Sequence, residues 1–210
     1  MHSKDIGNYK KTLTLTQQQR EIIIGTLLGD AHLESRYKGN TFSLMIEHSI
    51  KQKEYAEWKY KSLHNWVRTP PRIKKQMVNE VVYYKCCFRT LASGSLRFYH
   101  QQFYRGKKKI VPQLIGRLLT PRALAVWFMD DGSIKSKHHR ARIINTQGFD
   151  KKDVERLIGV LQSKFQIMAK LRRQKEGYQI YLLSETIDQF VDTVRKYIIP
   201  SMAYKLNGLS

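Results

Sequence analysis

The chain has 210 residues, 41% of them hydrophobic, and its 38 lysines and arginines against 17 acidic residues give a formal net charge of +21. That length is enough to bury a sizeable core in one large or two small domains, and no apolar run approaches the ~20 residues that span a bilayer. The basic residues are spread along the chain, which argues against a single disordered basic tail and favours a polyanionic partner, with nucleic acid preferred over a merely solvated surface.

Residues 1–14 precede the first half of the chain and lack the apolar core of a secretory signal. Thr16 is an N-cap candidate for a helix over 16–30, which runs through "IIIGTLLGD" and ends at Asp30. A basic polar stretch, a β-type run "TFSLMIE", an amphipathic helix "KQKEYAEWKYKSLHNWV" and a strand "VVYYKCCFRTL" follow, and the half closes on "KKKIVP".

The two cysteines, Cys86 and Cys87, are adjacent in that strand. Neighbours in a strand point to opposite faces, so we expect two free thiols rather than a disulfide or a shared metal site. Free thiols indicate a reducing compartment. We therefore expect a soluble, intracellular protein with no membrane partner, and both an organelle (mitochondrion or chloroplast) and the cytoplasm are compatible with the sequence.

The second half repeats this order of elements. Thr120 followed by Pro121 is typical of a helix start and predicts a second helix over 120–131, which ends at Asp131. A basic stretch, a run "RIINTQ", an amphipathic helix "KKDVERLIGVLQSKF", two strands around a turn at Glu176 and a short helix follow, and the half closes on "IIPSMAYKL".

The repeated order αββαββα predicts an α+β fold made of two duplicated units. A period of about 100 residues is that of a duplicated domain rather than of a solenoid. We place the N-terminal half at 15–114 and the C-terminal half at 115–207, related by a pseudo-twofold axis.

Each half places an acid at the end of its first helix. A carboxylate there is opposed by the helix dipole at a cost of ~0.3–1 kcal/mol, so two such acids at matching places indicate a bound cation, although "DDG" is also typical of a turn. Gly25 and Gly29 lie on nearly one face of the first helix, where small residues let a second helix approach closely. If the two helices pack together, Asp30 and Asp131 emerge at one end and repel each other unless a divalent cation lies between them. Oxygen ligands favour Mg²⁺ over zinc, and paired acids in a basic scaffold indicate phosphodiester hydrolysis.

The segments "IIGTLLGDAH" and "LAVWFMDDGS" resemble the two signature helices of the LAGLIDADG homing endonucleases, in the single-chain, two-motif branch. The resemblance covers roughly residues 16–207 and implies two antiparallel sheets that form a DNA-binding saddle, with the two motif helices packed at the central axis. The catalytic acid of the motif falls on Asp30 and on Asp131. Asp130 then takes the place of Gly29, about 100° away around the helix from Asp131, so we do not expect it to converge on the same metal.

The resemblance also implies the remaining roles. Lys109 and Lys205 would lie near the two scissile phosphates, and Glu47 and Gln147, placed on strands after the motifs, would position water. Metal ligands would be the two motif acids, with the backbones of Gly29 and Asp130 as further candidates. Alternation of polar and apolar residues along the strands gives the DNA-contact candidates. They are Arg36, Lys38, Asn40, Lys74, Gln76, Lys85, Arg89, Lys135, Lys137, Arg140, Arg142, Arg172, Arg173, Lys175 and Gln179.

The activity implied is that of a monomeric, site-specific homing endonuclease acting in intron homing. It would make a double-strand break in a long double-stranded DNA target by Mg²⁺-dependent hydrolysis, leaving short 3′ overhangs. The cofactor would be two or more Mg²⁺ ions, with Mn²⁺ as a substitute. Two alternatives stay open: an RNA maturase of the same fold that acts on host-intron RNA, and a non-catalytic basic nucleic-acid-binding protein.

Overall fold

A computed structural model of the chain describes residues 3–35, 39–136 and 139–206. Helix α1, Ser3–Thr12, precedes the first repeat. The elements of that repeat, with a short hairpin after it, are α2 Gln17–Leu28, β1 His32–Glu34, β2 Ser43–Ser49, α3 Lys53–Ser62, β3 Arg72–Val78, β4 Val81–Arg89, α4 Arg97–Phe103, β5 Tyr104–Arg105 and β6 Lys108–Lys109.

A short helix, α5, leads into the second repeat, which ends in two 3₁₀ segments. The elements are α5 Ile115–Leu118, α6 Pro121–Asp131, β7 Gly132–Ser136, β8 His139–Asn145, α7 Lys151–Phe165, β9 Ala169–Gln174, β10 Gly177–Leu182, α8 Ile187–Val194, and the 3₁₀ segments Arg195–Tyr197 and Pro200–Leu206.

Two four-stranded antiparallel sheets have the same internal order. The first runs β1-β2-β4-β3 and the second runs β7-β8-β10-β9. Helix α3 packs on β2 and β4, while α7 packs on β9 and β10 and α8 on β8. The α+β class and the duplicated αββαββα order are therefore confirmed.

The chain divides into two compact units. One contains Met1–Arg20 and Asp30–His100, and the other contains Glu21–Gly29 and Gln101–Ser210. The division falls inside α2, so most of the first motif helix belongs to the second unit. The boundaries of the two sequence halves, 15–114 and 115–207, stay a prediction about the repeat.

Side-chain caps fix the starts of both motif helices. The Thr16 hydroxyl accepts a hydrogen bond from the Gln19 amide (3.2 Å) and the Gln19 side chain accepts one from the Thr16 amide (3.1 Å), which together form a capping box. The Thr120 hydroxyl accepts a hydrogen bond from the Ala123 amide (3.2 Å), with proline at the first helical position. Both starts agree with the sequence, whereas α2 ends at Leu28, two residues before Asp30.

The apolar run before the "DDG" stretch forms a helix that is buried on all sides. Residues 123–129 of α6 are all buried, as expected for a helix that is hydrophobic around its circumference. Over the described ranges, none of the helices combines the length and the apolar character needed to cross a membrane.

Candidate functional site

Close contact between α6 and residues 21–29 of the first motif helix organises the second unit. A methyl group added at Gly25 would lie 2.7 Å from the Val126 Cβ and nearer still to the carbonyl oxygen of Ala123, so only glycine fits there. An ion pair between Arg122 and Glu21 (2.7 Å) joins the same two segments at their other end. The small residues therefore allow the two motif helices to pack closely, as the sequence predicted.

Asp130 fills the end of this helix contact. Its carboxylate accepts a hydrogen bond from the Thr26 hydroxyl (2.9 Å). A methyl group at Gly29 would lie 2.5 Å from the Asp130 Cβ, so the side chain of Asp130 lies directly against Gly29. From the sequence we do not expect Asp130 to share a metal with Asp131, and the structure gives its carboxylate a hydrogen-bond partner, Thr26, across the helix pair.

Two lysines bind backbone carbonyls at the C-terminal ends of the two motif helices. The Lys109 ammonium group, on β6, donates to the Gly29 carbonyl at 2.7 Å. The Lys205 ammonium group, in the 3₁₀ segment Pro200–Leu206, donates to the Asp130 carbonyl at 3.0 Å and also to the carbonyl of Met129. A cation is favourable at a helix C-terminus because the macrodipole is negative there. Each lysine thus binds the carbonyl that directly precedes a motif acid in the chain.

These two carbonyls were also candidate metal ligands. A carbonyl oxygen has two lone pairs, so one that accepts a lysine hydrogen bond can still coordinate an ion. Lys205 is only 7% exposed, and its burial beside the helix end gives the ammonium group a fixed position.

Asp131 is the last residue of α6 and is half-buried. The Asn145 side chain donates to the backbone carbonyl of Asp131 at 2.9 Å, and the Gln179 side chain donates in turn to Oδ1 of the Asn145 side chain at 2.7 Å. This chain of amides crosses from β10 to β8 and fixes the backbone at the acid.

Asp30, in the other unit, has a histidine neighbour that the sequence did not reveal. The Asp30 carboxylate lies 3.4 Å from the Nδ1 of His48, whose side chain is buried and whose ring lies 4.8 Å from the ring of Tyr55. A histidine in an apolar strand is typical of a core position, which is why the pattern gave no signal. Asp30 itself is partly exposed, so its carboxylate is accessible to an ion.

The strand registers identify the positional counterpart of Glu47. His32 and Ser133 each lie two residues after a motif acid, and they pair with Met45 and Ile143. Two residues further along β2 and β8 lie Glu47 and Asn145. Asn145, rather than the predicted Gln147, is therefore the residue that matches Glu47 in the repeat.

Gln147 lies beyond the strand on which the sequence placed it. β8 ends at Asn145, and the Phe149 amide donates to the Thr146 carbonyl (3.0 Å) to form a turn that contains Gln147. The predicted strand location of Gln147 is wrong because the turn begins two residues earlier than the polar run "NTQ" suggested. Glu47 is on a strand as predicted, and its carboxylate lies 3.6 Å from the Lys74 ammonium group and 3.5 Å from that of Lys85.

Twelve of the fifteen DNA-contact candidates fall into four groups. Those on the Glu47 face of the first sheet are Lys74, Gln76, Lys85 and Arg89. Those on the Asn145 face of the second sheet are Lys135, Arg172 and Gln179. Those in exposed turns are Asn40, whose backbone carbonyl accepts from Arg97 (2.9 Å), and Lys175. Those outside the described residues are Arg36, Lys38 and Lys137.

Strand alternation places the other three candidates, Arg140, Arg142 and Arg173, on the sheet face opposite Asn145. Arg142 is fully buried and donates to the carbonyls of Arg140 (2.7 Å) and Leu206 (3.3 Å), so it is not a surface contact. Burial, with a smaller effect of the Arg140 charge, lowers the pKa of Arg142. Arg140 is ion-paired with Asp188 on helix α8, on the face opposite Asn145.

Arg173 also lies on that opposite face. It pairs with Tyr178 while its neighbour Arg172 pairs with Gln179, and consecutive strand residues point to opposite sides. The sequence placed both arginines on the DNA side because it could not show which residue of a basic pair faces outward.

Comparison with known proteins agrees with this geometry. The model of the LAGLIDADG DNA endonuclease family matches residues 20–190, most of the chain. The chain belongs to this family. Its two LAGLIDADG helices are α2 and α6, and the matched range contains all of α6 and residues 20–28 of α2.

The proteins similar to this chain include endonucleases and a maturase. A probable intron-encoded endonuclease of Wickerhamomyces canadensis is 34% identical over 98% of this chain and 91% of its own length. The solved structure of the homing endonuclease I-WcaI bound to its DNA recognition sequence is 31% identical, with a TM-score of 0.91 over 98% of this chain and 93% of that one. The cytochrome b mRNA maturase bI2 of Debaryomyces hansenii is 29% identical over 97% of this chain and 78% of its own length.

Proposed function

We propose that this LAGLIDADG protein is a site-specific homing endonuclease that makes a double-strand break in a long DNA target. The observation that carries the proposal is the pair of matched lysines. Lys109 and Lys205 bind the carbonyls of Gly29 and Asp130 at the ends of the two motif helices. Each half thus has a lysine beside a motif acid, and the two halves together provide one set of catalytic groups for each strand of a duplex.

In this proposal Asp30 and Asp131 supply carboxylate oxygens to divalent cations. Hard oxygen donors suit Mg²⁺, with Mn²⁺ as a substitute. Bound Mg²⁺ would lower the pKa of the attacking water and stabilise the leaving oxygen. Lys109 and Lys205 stabilise the charge that develops on each phosphate, since their ammonium groups are already fixed by helix carbonyls and need no reorganisation during the reaction.

The polar residues beside the acids position the reacting groups. Asn145 fixes the backbone of Asp131 through its carbonyl, and Gln179 fixes Asn145. Glu47 occupies the matching position in the first sheet, between two lysines. We assign water positioning to Glu47 and Asn145, and no longer to Gln147.

The duplex would lie on the two polar sheet faces. Lysines and arginines there supply phosphate contacts, which account for half or more of all protein–DNA hydrogen bonds. With a net charge of +21, binding should weaken steeply as salt rises, because neutralised phosphates release counterions. We further propose that the enzyme acts as a monomer, leaves short 3′ overhangs and works in an organelle. The organelle is proposed because one relative is named as intron-encoded and another as a cytochrome b mRNA maturase.

The test uses a plasmid carrying the intronless junction, obtained by joining the sequences that flank the host intron. The purified protein with Mg²⁺ should linearise this plasmid. Asp30→Asn and Asp131→Asn should abolish linearisation while DNA binding, measured by gel shift in Ca²⁺, persists. Asp192→Asn removes an exposed acid on α8 and serves as the matched control that should cleave normally. Normal cleavage by both motif variants would refute the assignment of the site.

A second function, RNA maturation, is favoured by the similarity to the Debaryomyces hansenii maturase. Both motif acids are present here, which favours cleavage without opposing an additional role in splicing. Splicing of precursor RNA with the host intron, with and without the protein, separates the two activities. If the Asp30→Asn and Asp131→Asn variants promote splicing normally, maturation does not use the cleavage site.

A further inference from the structure

The outer end of the β3–β4 ribbon changes from basic to apolar along a single face. Going outward, the cross-strand pairs on this face are Lys74 with Lys85, Gln76 with Tyr83, and Val78 with Val81. The last three apolar side chains are well exposed, at 43% for Val78, 51% for Val81 and 50% for Tyr83. We call these three residues the apolar end of the ribbon.

The second sheet does not share this feature. On the corresponding face of β9 and β10, the outermost pair is Gln174 with Gly177, and Arg172 with Gln179 comes next. The repeat has therefore kept the ribbon and changed the chemistry of its outer end. A difference between two otherwise matched surfaces suggests that they contact different chemical groups.

The base edges of DNA offer one apolar group in the major groove, the C5-methyl of thymine. We propose that the apolar end reads thymine methyl groups at the outer base pairs of the half-site bound by the first sheet. The inference rests on the proposed DNA binding by this face. It adds a specificity: thymine is preferred at these positions, because it alone carries a methyl group that the valines can contact.

The ribbon has the shape that this contact needs. Its two-residue turn, Asn79 and Glu80, has positive φ at both positions (46° and 64°), the pattern of a tight hairpin whose twist matches its strands. A two-stranded ribbon of this kind fits the major groove. Lys74 and Lys85 lie on the same face of the ribbon, where they can contact DNA phosphates, so the apolar end adjoins a basic surface.

A second copy of the chain is the competing occupant. The opposite face of the ribbon also exposes apolar side chains, Ile73 at 58% and Met77 at 68%. Pairing of two chains that each carry +21 is opposed by charge repulsion, whereas DNA attracts the same surface. The observations therefore favour DNA, and self-association is an outcome to be measured.

The experiment selects binding sites from a randomised duplex library in Ca²⁺. The wild-type protein should enrich thymine at the outer positions of one half-site. A double variant, Val78→Ser with Val81→Ser, should lose that preference and keep the rest of the site. The matched control, Ile73→Ser with Met77→Ser, changes the opposite face of the same ribbon and should leave every base preference unchanged.

A second measurement needs no protein variant. Replacing the selected outer thymines by deoxyuridine removes only the methyl group and should weaken wild-type binding about fourfold per contacted methyl, the factor expected for burying one methylene-sized group. Unchanged affinity, or a selected site without outer thymine, would overturn the inference. A dimer in sedimentation that the serine variants dissociate would also overturn it. Failure of the wild-type protein to enrich any sequence would instead refute the proposed DNA function.

Discussion

Replacing Gly25 by alanine tests the contact between the motif helices. The added methyl group would lie 2.7 Å from the Val126 Cβ, against an ordinary contact of 3.4–4 Å, so α6 must move by about 1 Å. Overpacking of this kind costs about 1–3 kcal/mol, and the nearby Ala123 carbonyl is backbone that cannot rotate away. Alanine regains about 1 kcal/mol of helix propensity. The difference is a net loss of about 0–2 kcal/mol in the free energy of unfolding, and we expect about 2 kcal/mol because backbone atoms are involved.

The assay is thermal unfolding with a matched control. A loss of about 2 kcal/mol should lower the Tm by roughly 4–8 °C for a chain of this size. Gly159, exposed in the middle of α7, has nothing within 4 Å of its added methyl group. Gly159→Ala makes the same chemical change and should stabilise the protein by about 0.5–1 kcal/mol. Cleavage by Gly25→Ala should fall even well below its Tm, because the shift displaces the helix ends that hold the lysines.

The helix contact predicts opposite changes in the free energy of unfolding: a decrease for Gly25→Ala and an increase for Gly159→Ala. If Gly25→Ala were as stable as the wild-type protein or more so, the two helices would not approach as closely as described. Equal destabilisation by both variants would mean that backbone freedom, and not the contact, determines the effect.

Three further predictions follow from the second unit and from α4. Arg142→Met removes the hydrogen bond to the Leu206 carbonyl, next to Lys205. Cleavage of the strand served by Lys205 should therefore slow, and plasmid nicked in the other strand should accumulate. Equal slowing on both strands would contradict this positioning role. Asn145→Ala should slow cleavage by about tenfold, the lower range for residues that orient catalytic groups, and Gln147→Ala should stay within about twofold of wild type in the same plasmid assay. Burial lowers the pKa of His100. The unfolded state therefore binds more protons than the folded state below about pH 6.5, and stability falls as the pH falls. The His100→Phe variant should show a smaller decrease in Tm between pH 7 and pH 5.

The sequence predicted those features that depend on local order. Helix starts at Thr16 and Thr120 were visible because capping acts within one turn of a helix. The repeated element order followed from hydrophobic periodicity. The prediction that the motif helices pack through small residues needed only the spacing of Gly25 and Gly29, and the structure confirms that contact.

Features that depend on strand pairing were not visible in the sequence. Arg140 and Arg142 share a face because they lie two positions apart in the strand, but whether that face is covered by α8 depends on the tertiary fold. A strand that ends two residues early moved Gln147 into a turn and left Asn145 in the matching position. Register is set by long-range pairing, and a shift of one residue exchanges the two faces of a strand.

The duplication preserves the backbone more closely than the side chains, and this bears on the reaction. Asn145 hydrogen-bonds the backbone of Asp131, whereas its positional counterpart Glu47 is flanked by two lysines. His48 lies beside Asp30, whereas the residue after Asn145 is Thr146, whose hydroxyl donates to the Tyr178 carbonyl (2.7 Å). In the proposed reaction, two acids with different neighbours would bind a cation and orient water differently. The two DNA strands should therefore be cut at unequal rates, and a nicked intermediate should precede the linear product.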